Sequence, residues 1–350
     1  MRFSASVATS VGVAMVAQFV STAPSDANPI SDFYNGKSIT LLIGHPAGGG
    51  YDTYSRLLAR HLGRFIPGNP GIIPKNMPGA GGLAAANSIY NSDPRDGLLI
   101  GMFGSFVAFE PLFGNDNAKF ESAKFTWIGN MYRDVESCVV WHTTGIERYS
   151  DVDRFTETNK RPLIFGSSGK ASTTSQTVHV MKNMLGSNVK VILGYKGTDD
   201  INLDMEKGAI DASCGMYLST VRSRYDQKVK SGDLRILIQF GRSRVPYFGD
   251  AATIYDLLKS EEDKKVADII FRQSELGRPI MGPPDIPTER AIALRSAFTE
   301  TMKDPGFLSE AEKLRIPIDS TTGEEVAQLL GFFFGTPQSL IQRAKSAMTD

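Results

Sequence analysis

Apolar runs rich in β-branched residues alternate with segments of helical periodicity along most of the chain. The runs predict strands at 38–44, 71–76, 98–103, 126–131, 138–143, 162–167, 189–195, 210–215 and 234–240. Apolar residues at helical spacing predict helices at 52–63, 81–91, 173–185, 199–207 and 217–230. Strands alternating with helices in this way are typical of an α/β fold with mostly parallel sheets. In such sheets, ligands bind beyond the carboxyl ends of the strands.

The pattern changes in the last hundred residues. Residues 251–275 predict charged helices, 278–287 predict a strand followed by a proline-rich turn, and the remainder predicts a helical tail. The run LLGFFFG (329–335) is interpreted as a buried helix face rather than a membrane anchor.

The first 27 residues have the features of a secretory signal peptide. Arg2 precedes an apolar stretch that is densest at 11–20, and small residues follow at two candidate cleavage sites, Ser25 with Ala27 and Ser21 with Ala23. The stretch is shorter than the ~20 apolar residues of a spanning helix, and no later segment approaches that length. We therefore expect an exported, soluble, periplasmic protein, with a buried N-terminal helix as the alternative interpretation.

Composition narrows the range of functions. The chain has 350 residues, 41% of them hydrophobic, which is enough for a large core divided between two lobes. Its 38 Lys and Arg balance its 38 Asp and Glu, so no charged field favours binding to nucleic acid or to an anionic membrane. Cys138 and Cys214 lie in predicted strands, and the sequence leaves their pairing open; two small buried thiols are the simpler interpretation.

Glycine-rich and hydroxyl-rich loops follow several predicted strands. HPAGGGYD (45–52) places bare main-chain N–H groups before a helix, with Asp52 as the expected N-cap, and such a helix start accepts phosphate or carboxylate oxygens. The glycines of a tight turn are the alternative interpretation of that loop. PGAGG (78–82), GSSGKASTT (166–174) and YKG (195–197) are further loops of this kind.

None of these loops matches a catalytic or nucleotide-binding motif. The spacing GxGxxG is absent from the first loop, and the third has Ile164 and Ala171 where a P-loop requires glycine and serine or threonine. Lys170 replaces the last glycine of a GxSxG elbow. The four histidines have no metal-binding spacing. The sequence therefore favours a binding protein over an enzyme, with no cofactor and no metal.

The segments SITLLIGHPAGGGYDTYSRLLARHL, NMPGAGGLAAAN, FGSSGKASTTS and GYKGTDDINLDMEKGAID resemble, in order and spacing, the Bug-type periplasmic receptors of tripartite tricarboxylate transporters. The resemblance covers essentially the whole mature chain, and PAGGGxD with PGAGG is its most specific part. It implies a two-lobed periplasmic-binding-protein (Venus flytrap) fold, each lobe a mostly parallel sheet flanked by helices, with crossover strands at a hinge. The implied lobes are 34–134 with 236–350, and 135–235.

The resemblance also implies a small carboxylate held between the lobes by main-chain N–H groups. Carried over residue by residue, the binding positions are Ala47, Gly48, Gly49 and Asp52 in one lobe, and Ser167, Ser168, Gly169, Ser172, Tyr195, Lys196 and Gly197 in the other. Two residues depart from the family pattern. His45 replaces an aromatic residue at the pocket wall, and Lys170 adds a charge that we expect to pair with a second carboxylate.

These features predict a monomeric receptor that delivers an organic carboxylate to a membrane transporter of the tripartite tricarboxylate type. One alternative is an exported sensor that presents the bound acid to a signalling partner. Another is an exported enzyme that uses Ser168 with His179 or Lys170. Nucleic acid is not expected as a partner.

Overall fold

Two β-sheets, each covered by helices, form the frame of the protein in the computed structural model, which describes Met1, Ser4 and residues 28–170, 172–195 and 197–350. Nearly all of the predicted signal peptide, including both candidate cleavage sites, lies outside the described residues. No described helix is long and apolar enough to cross a membrane.

The strands divide into two groups by sheet. The first sheet has the order β11-β4-β10-β3-β1-β2 and the second β7-β6-β8-β5-β9. The first contains β1 (Ser38–Ile43), β2 (Gly71–Asn76), β3 (Leu99–Met102), β4 (Thr126–Asn130), β10 (Pro279–Gly282) and β11 (Thr321–Thr322). The second contains β5 (Glu136–Trp141), β6 (Leu163–Ser167), β7 (Val189–Leu193), β8 (Ala212–Tyr217) and β9 (Leu234–Gln239).

Helices cover both sheets and fill the connections between strands. They are α1 (Pro29–Tyr34), α2 (Gly50–His61), α3 (Leu83–Tyr90), α4 (Val152–Asn159), α5 (Thr173–Leu185), α6 (Thr198–Glu206), α7 (Leu218–Thr220), α8 (Asp226–Ser231), α9 (Ile254–Leu257), α10 (Glu261–Phe271), α11 (Thr288–Lys303), α12 (Pro305–Lys313), α13 (Gly323–Phe334) and α14 (Gln338–Ala347). A π-helical turn, Val221–Tyr225, joins α7 to α8.

Local sequence explains where these elements form. Strand β1 is an almost unbroken apolar run because helices cover both faces of its sheet, and Ile39, Leu41 and Ile43 are fully buried. Helix α13 begins at a capping box in which Thr322 Oγ1 accepts the N–H of Glu325, and the Glu325 carboxylate accepts the N–H of Thr322.

Each sheet is mixed rather than purely parallel. Strands β1, β2 and β3 are parallel, as are β6, β7 and β8, while β10 and β5 run antiparallel to both of their neighbours. Both reversed strands are reached when the chain passes from one sheet to the other. They therefore begin at the edge where the parallel strands end.

The chain passes between the sheets through 131–135 and again through 272–278. A third passage, 335–337, separates α13, which packs on β4, from α14, which packs on α5 and α10. These three segments form the connection between two lobes.

The lobe boundaries inferred from the resemblance differ from this packing. A boundary at 235/236 would cut strand β9, which pairs with β5 throughout. Helices α10 and α14, expected in the first lobe, pack in the second: Val266, Phe271 and Ala344 share a buried cluster with Phe165 of β6. We therefore propose that the second lobe extends to about residue 273 and also includes α14.

Cys138 and Cys214 form a disulfide bond between the adjacent strands β5 and β8. Both residues are fully buried in the second lobe. The interpretation of two free buried thiols is therefore wrong, because neighbouring strands bring the two side chains together.

Candidate functional site

The first glycine loop joins β1 to α2 at the edge where the first sheet faces the second lobe. Gly49 is the N-cap of α2, and Gly48 has φ +85°, a left-handed conformation that favours glycine. Ala47, Gly48 and Gly49 are exposed. The loop thus presents bare main chain at the start of a twelve-residue helix.

Asp52 holds this loop together from within. It lies in the first turn of α2, not at the predicted N-cap, and its side chain is buried. Its Oδ2 accepts the N–H of Gly48 at 2.9 Å, while its Oδ1 accepts hydrogen bonds from Asn76 Nδ2 at 2.8 Å and Arg56 Nε at 2.9 Å. Burial raises the pKa of Asp52, but the bonds from Arg56, Gly48 and Asn76 outweigh it and leave the pKa below its usual range. Both carboxylate oxygens are therefore occupied by the protein itself.

His45 stacks on Tyr51, with ring centroids 4.1 Å apart. Burial, with a smaller contribution from the positive charge of Arg278, lowers the pKa of His45 and favours the neutral ring. Its Nε2 is buried and forms no hydrogen bond to any residue that the structure describes. The Tyr51 hydroxyl accepts the N–H of Ser105 at 3.2 Å, which fixes the orientation of the tyrosine beneath the loop.

The hydroxyl loop of the second lobe, between β6 and α5, is tied together by its own side chains. Ser167 is fully buried, and its Oγ lies 2.9 Å from Ser172 Oγ and 3.0 Å from Thr174 Oγ1. The N–H of Gly169 donates to Ser167 Oγ at 3.2 Å. Ser167 and Ser172 thus maintain the shape of the loop, and the Ser168 side chain forms no hydrogen bond to a described residue.

The remaining predicted residues of the second lobe separate in space. Lys170 is exposed and lines an outer cavity with His179, Lys182 and Asp350, away from the glycine loop. Tyr195 donates from its hydroxyl to Asp204 at 3.2 Å. Gly197 is the N-cap of α6, and Lys196 lies outside the described residues.

A cleft between the lobes contains a cavity of about 470 Å³. One wall belongs to the first lobe and the other to the second, and residues 314–317 also line the cavity. The first wall consists of Gly48, Gly49, Gly50, Thr53, Tyr54 and Arg278, and the second of Thr198, Ser219, Thr220, Ser223 and Arg224. Of the predicted binding residues, Gly48 and Gly49 line this cavity. A larger cavity of about 730 Å³ lies beside 315–318 and contains none of the predicted loops.

Sequence reasoning missed Arg278, which directly precedes β10. Its guanidinium lies over the rings of Tyr51 and Tyr54, with centroid distances of 4.5 Å and 4.9 Å. Its main-chain N–H donates to Asn130 Oδ1 at 2.7 Å. It supplies positive charge to the wall that contains the glycine loop.

Two buried carboxyl groups lie where the chain enters the second lobe. Asp134 accepts hydrogen bonds from the Ser219 hydroxyl at 2.5 Å and from the N–H of Val135 at 3.0 Å. Glu136 accepts a hydrogen bond from the Thr177 hydroxyl. Burial raises the pKa of Asp134, and it raises the pKa of Glu136 to about 8. Asp134 lies in the connection after β4 and Glu136 is the first residue of β5, and neither stands in a glycine-rich or hydroxyl-rich loop, so the search for such loops did not find them.

A family model described as "Tripartite tricarboxylate transporter family receptor" matches residues 56–330. The "UPF0065 protein in gbd 5'region" of Cupriavidus necator is 23% identical over 335 residues, covering 95% of each chain. A TctC solute-binding protein from Polaromonas, solved without ligand, is similar in structure, with TM-score 0.68, 18% identity and coverage of 89% of this chain and 99% of that one. The periplasmic binding protein BugD gives TM-score 0.62 and 18% identity, with coverage of 91% and 99%.

Two further similar structures contain acids. An R. palustris protein solved with adipate gives TM-score 0.61 and 16% identity, covering 89% of this chain and 98% of that one. MatC from Rhodopseudomonas palustris, with bound malate, gives TM-score 0.57 and 16% identity, covering 89% and 99%. At these identities the likeness concerns the fold, and it confirms the two-lobed periplasmic-binding-protein fold predicted from the sequence.

Proposed function

The chain belongs to the tripartite tricarboxylate transporter receptor family, and on this basis we propose that it binds a small organic carboxylate between its lobes and delivers it to a membrane transporter of that type. In this proposal residues 1–27 are a signal peptide, and the mature protein acts in the periplasm as a monomer. It performs no chemistry on the acid.

The observation that carries the proposal is the composition of the interlobe cavity. Main chain at the start of α2 and the guanidinium of Arg278 line one wall, and the hydroxyl-bearing residues Thr198 and Thr220 line the other. Helix N-termini, guanidinium groups and hydroxyls all bind carboxylate oxygens. The adipate and malate of two similar structures are acids of a size suited to such a cavity.

The arrangement of the second lobe favours a receptor over an enzyme. An enzyme using Ser168 would need a base in contact with that hydroxyl. In the described part of the chain, the Ser168 hydroxyl has no hydrogen bond to His179 or Lys170, both of which line the outer cavity.

Binding is tested by calorimetry and thermal shift with acetate, succinate, malate, adipate and citrate. We expect at least one of these acids to bind and to raise the melting temperature. If none of them binds or stabilises the protein, the carboxylate proposal is wrong.

Gly49 offers an isosteric test of whether the ligand is an anion. A side chain fits there, since φ is −82° and the nearest atom to an added Cβ is Pro46 O at 3.7 Å. Gly49→Asn and Gly49→Asp both place a favourable N-cap at α2. We expect the Asp variant to bind the acid at least about 10-fold more weakly than the Asn variant, because its charge faces the carboxylate. Equal affinities with equal melting temperatures would contradict an anionic ligand at this loop.

A further inference from the structure

Arg278 occupies the cleft as a guanidinium without a carboxylate partner. In the described ranges, no Asp or Glu oxygen forms an ion pair with it within 4.0 Å, whereas Arg224 on the opposite wall pairs with Asp199 at 2.7 Å. Its Nη1 donates to the carbonyl of Gly277 at 2.6 Å, and its Nε is buried and has no hydrogen-bond partner among the described residues. A partly desolvated cation in this situation gains free energy when an anion binds beside it.

Neighbouring groups do not neutralise this charge. Asp134 is the Asp or Glu side chain with the largest electrostatic effect on it, but its oxygens already accept hydrogen bonds from Val135 and Ser219. The contacts with Tyr51 and Tyr54 orient the guanidinium and occupy none of its N–H donors. Within the described ranges, Nη2 donates to no protein group.

The guanidinium of Arg278 lies next to the glycine loop. A Cβ atom built on Gly50 would lie 3.6 Å from Arg278 Nη2, and both residues line the same cavity. A carboxylate between Gly50 and Arg278 would lie near the positive end of the α2 dipole and could accept hydrogen bonds from the guanidinium. Lys170, the cation expected to contact a second carboxylate, lies instead on the outer cavity.

We propose that Arg278 forms a charge-assisted contact with one carboxylate of a dicarboxylic acid and so makes the cleft select for diacids over their diamides. The other carboxylate faces the hydroxyl wall of the second lobe. This inference rests on the proposed function. It assigns the charged contact with the ligand to Arg278, which directly precedes strand β10.

The test compares Arg278→Gln, Arg278→Lys and Arg60→Gln by calorimetry, using whichever diacid among succinate, malate and adipate binds the wild type most tightly, together with its diamide. Loss of a buried charged contact weakens binding roughly 100-fold, so we expect that loss for Arg278→Gln. Arg278→Lys should retain part of the affinity, because lysine keeps the charge but not the two-donor geometry. Arg60→Gln is the control and should bind within threefold of wild type, because Arg60 pairs with Glu310 at 2.7 Å and is not among the residues that line the cleft cavity.

One comparison uses wild type alone and so does not depend on the variants folding: wild type should bind the diamide roughly 100-fold more weakly than the diacid. A folded Arg278→Gln variant should discriminate less between the two ligands. Folded Arg278→Gln with wild-type affinity, or wild type that binds diacid and diamide equally, overturns the inference and leaves the receptor function intact. Failure of wild type to bind any acid contradicts the proposed function and this inference together.

Discussion

At the scale of single residues, Glu136 links the fold to pH. The carboxyl group is buried, and its pKa is raised to about 8, while in the unfolded chain it ionises near its ordinary value of 4.5. The folded protein therefore favours the protonated form. The stability that this group contributes is complete below pH 4.5 and is lost as the pH rises through about 8.

Glu136→Gln should remove this dependence, because its amide oxygen can still accept the hydrogen bond from Thr177. Between pH 5 and pH 9 we expect the wild-type free energy of unfolding to fall by on the order of a few kcal/mol more than that of the variant. Urea denaturation at both pH values measures the difference. Glu289→Gln, on an exposed position of α11, is the matched control and should follow wild type. Identical pH profiles for Glu136→Gln and wild type would show that Glu136 ionises normally in the fold.

At the scale of elements, the direction of strands explains what the sequence could and could not predict. Periodicity located β1 and β6 closely, and helix 173–185 to the residue, because each has buried apolar residues in a regular pattern. It also located β2, although every residue of that strand is exposed or half-buried. The loops after β1 and β6 followed from the rule that ligands bind at the carboxyl ends of parallel strands.

The same rule did not predict Arg278 or Glu136. Both stand at the amino ends of reversed strands, β10 and β5, and pairing direction cannot be deduced from a single strand's residues. The interior role of Asp52 was missed for a related reason. Arg56 is four residues further along the same helix, but Asn76 lies on β2 and reaches Asp52 only in the folded protein, so the sequence alone did not show that its oxygens are occupied.

The disulfide between β5 and β8 leads to a prediction about stability. It closes a loop with a sequence separation of 76 residues, which by chain entropy corresponds to about 4 kcal/mol of stability. Cys138→Ala/Cys214→Ala should therefore unfold at clearly lower urea concentration than the oxidised wild type. Dithiothreitol added to unfolded wild type should lower its refolded stability toward the variant's and leave the variant unchanged. If iodoacetamide labels two thiols in denatured, unreduced wild type, the bond is absent in solution.

At the scale of the whole molecule, two lobes are joined by three passages of chain, 131–135, 272–278 and 335–337. The cleft residues lie beside these passages: Asp134 is in the first, and Arg278 ends the second. Asp134 also accepts the N–H and hydroxyl of Ser219 in the second lobe. The proposed binding site and the connection between lobes are therefore built from the same segments, and we expect a ligand that contacts both walls to change how the lobes sit relative to one another.

We expect the bound acid to bring the lobes closer together, since it gains contacts with both walls only when they approach. Small-angle X-ray scattering should show a smaller radius of gyration for wild type saturated with its tightest-binding diacid than for the free protein. The corresponding diamide, at the same concentration, should leave the scattering unchanged. Arg278→Gln serves as the matched protein control and should keep the free-protein value at acid concentrations that saturate wild type. If calorimetry shows saturation while the radius of gyration stays constant, the lobes do not move on binding, and the cleft accepts its ligand as a preformed site.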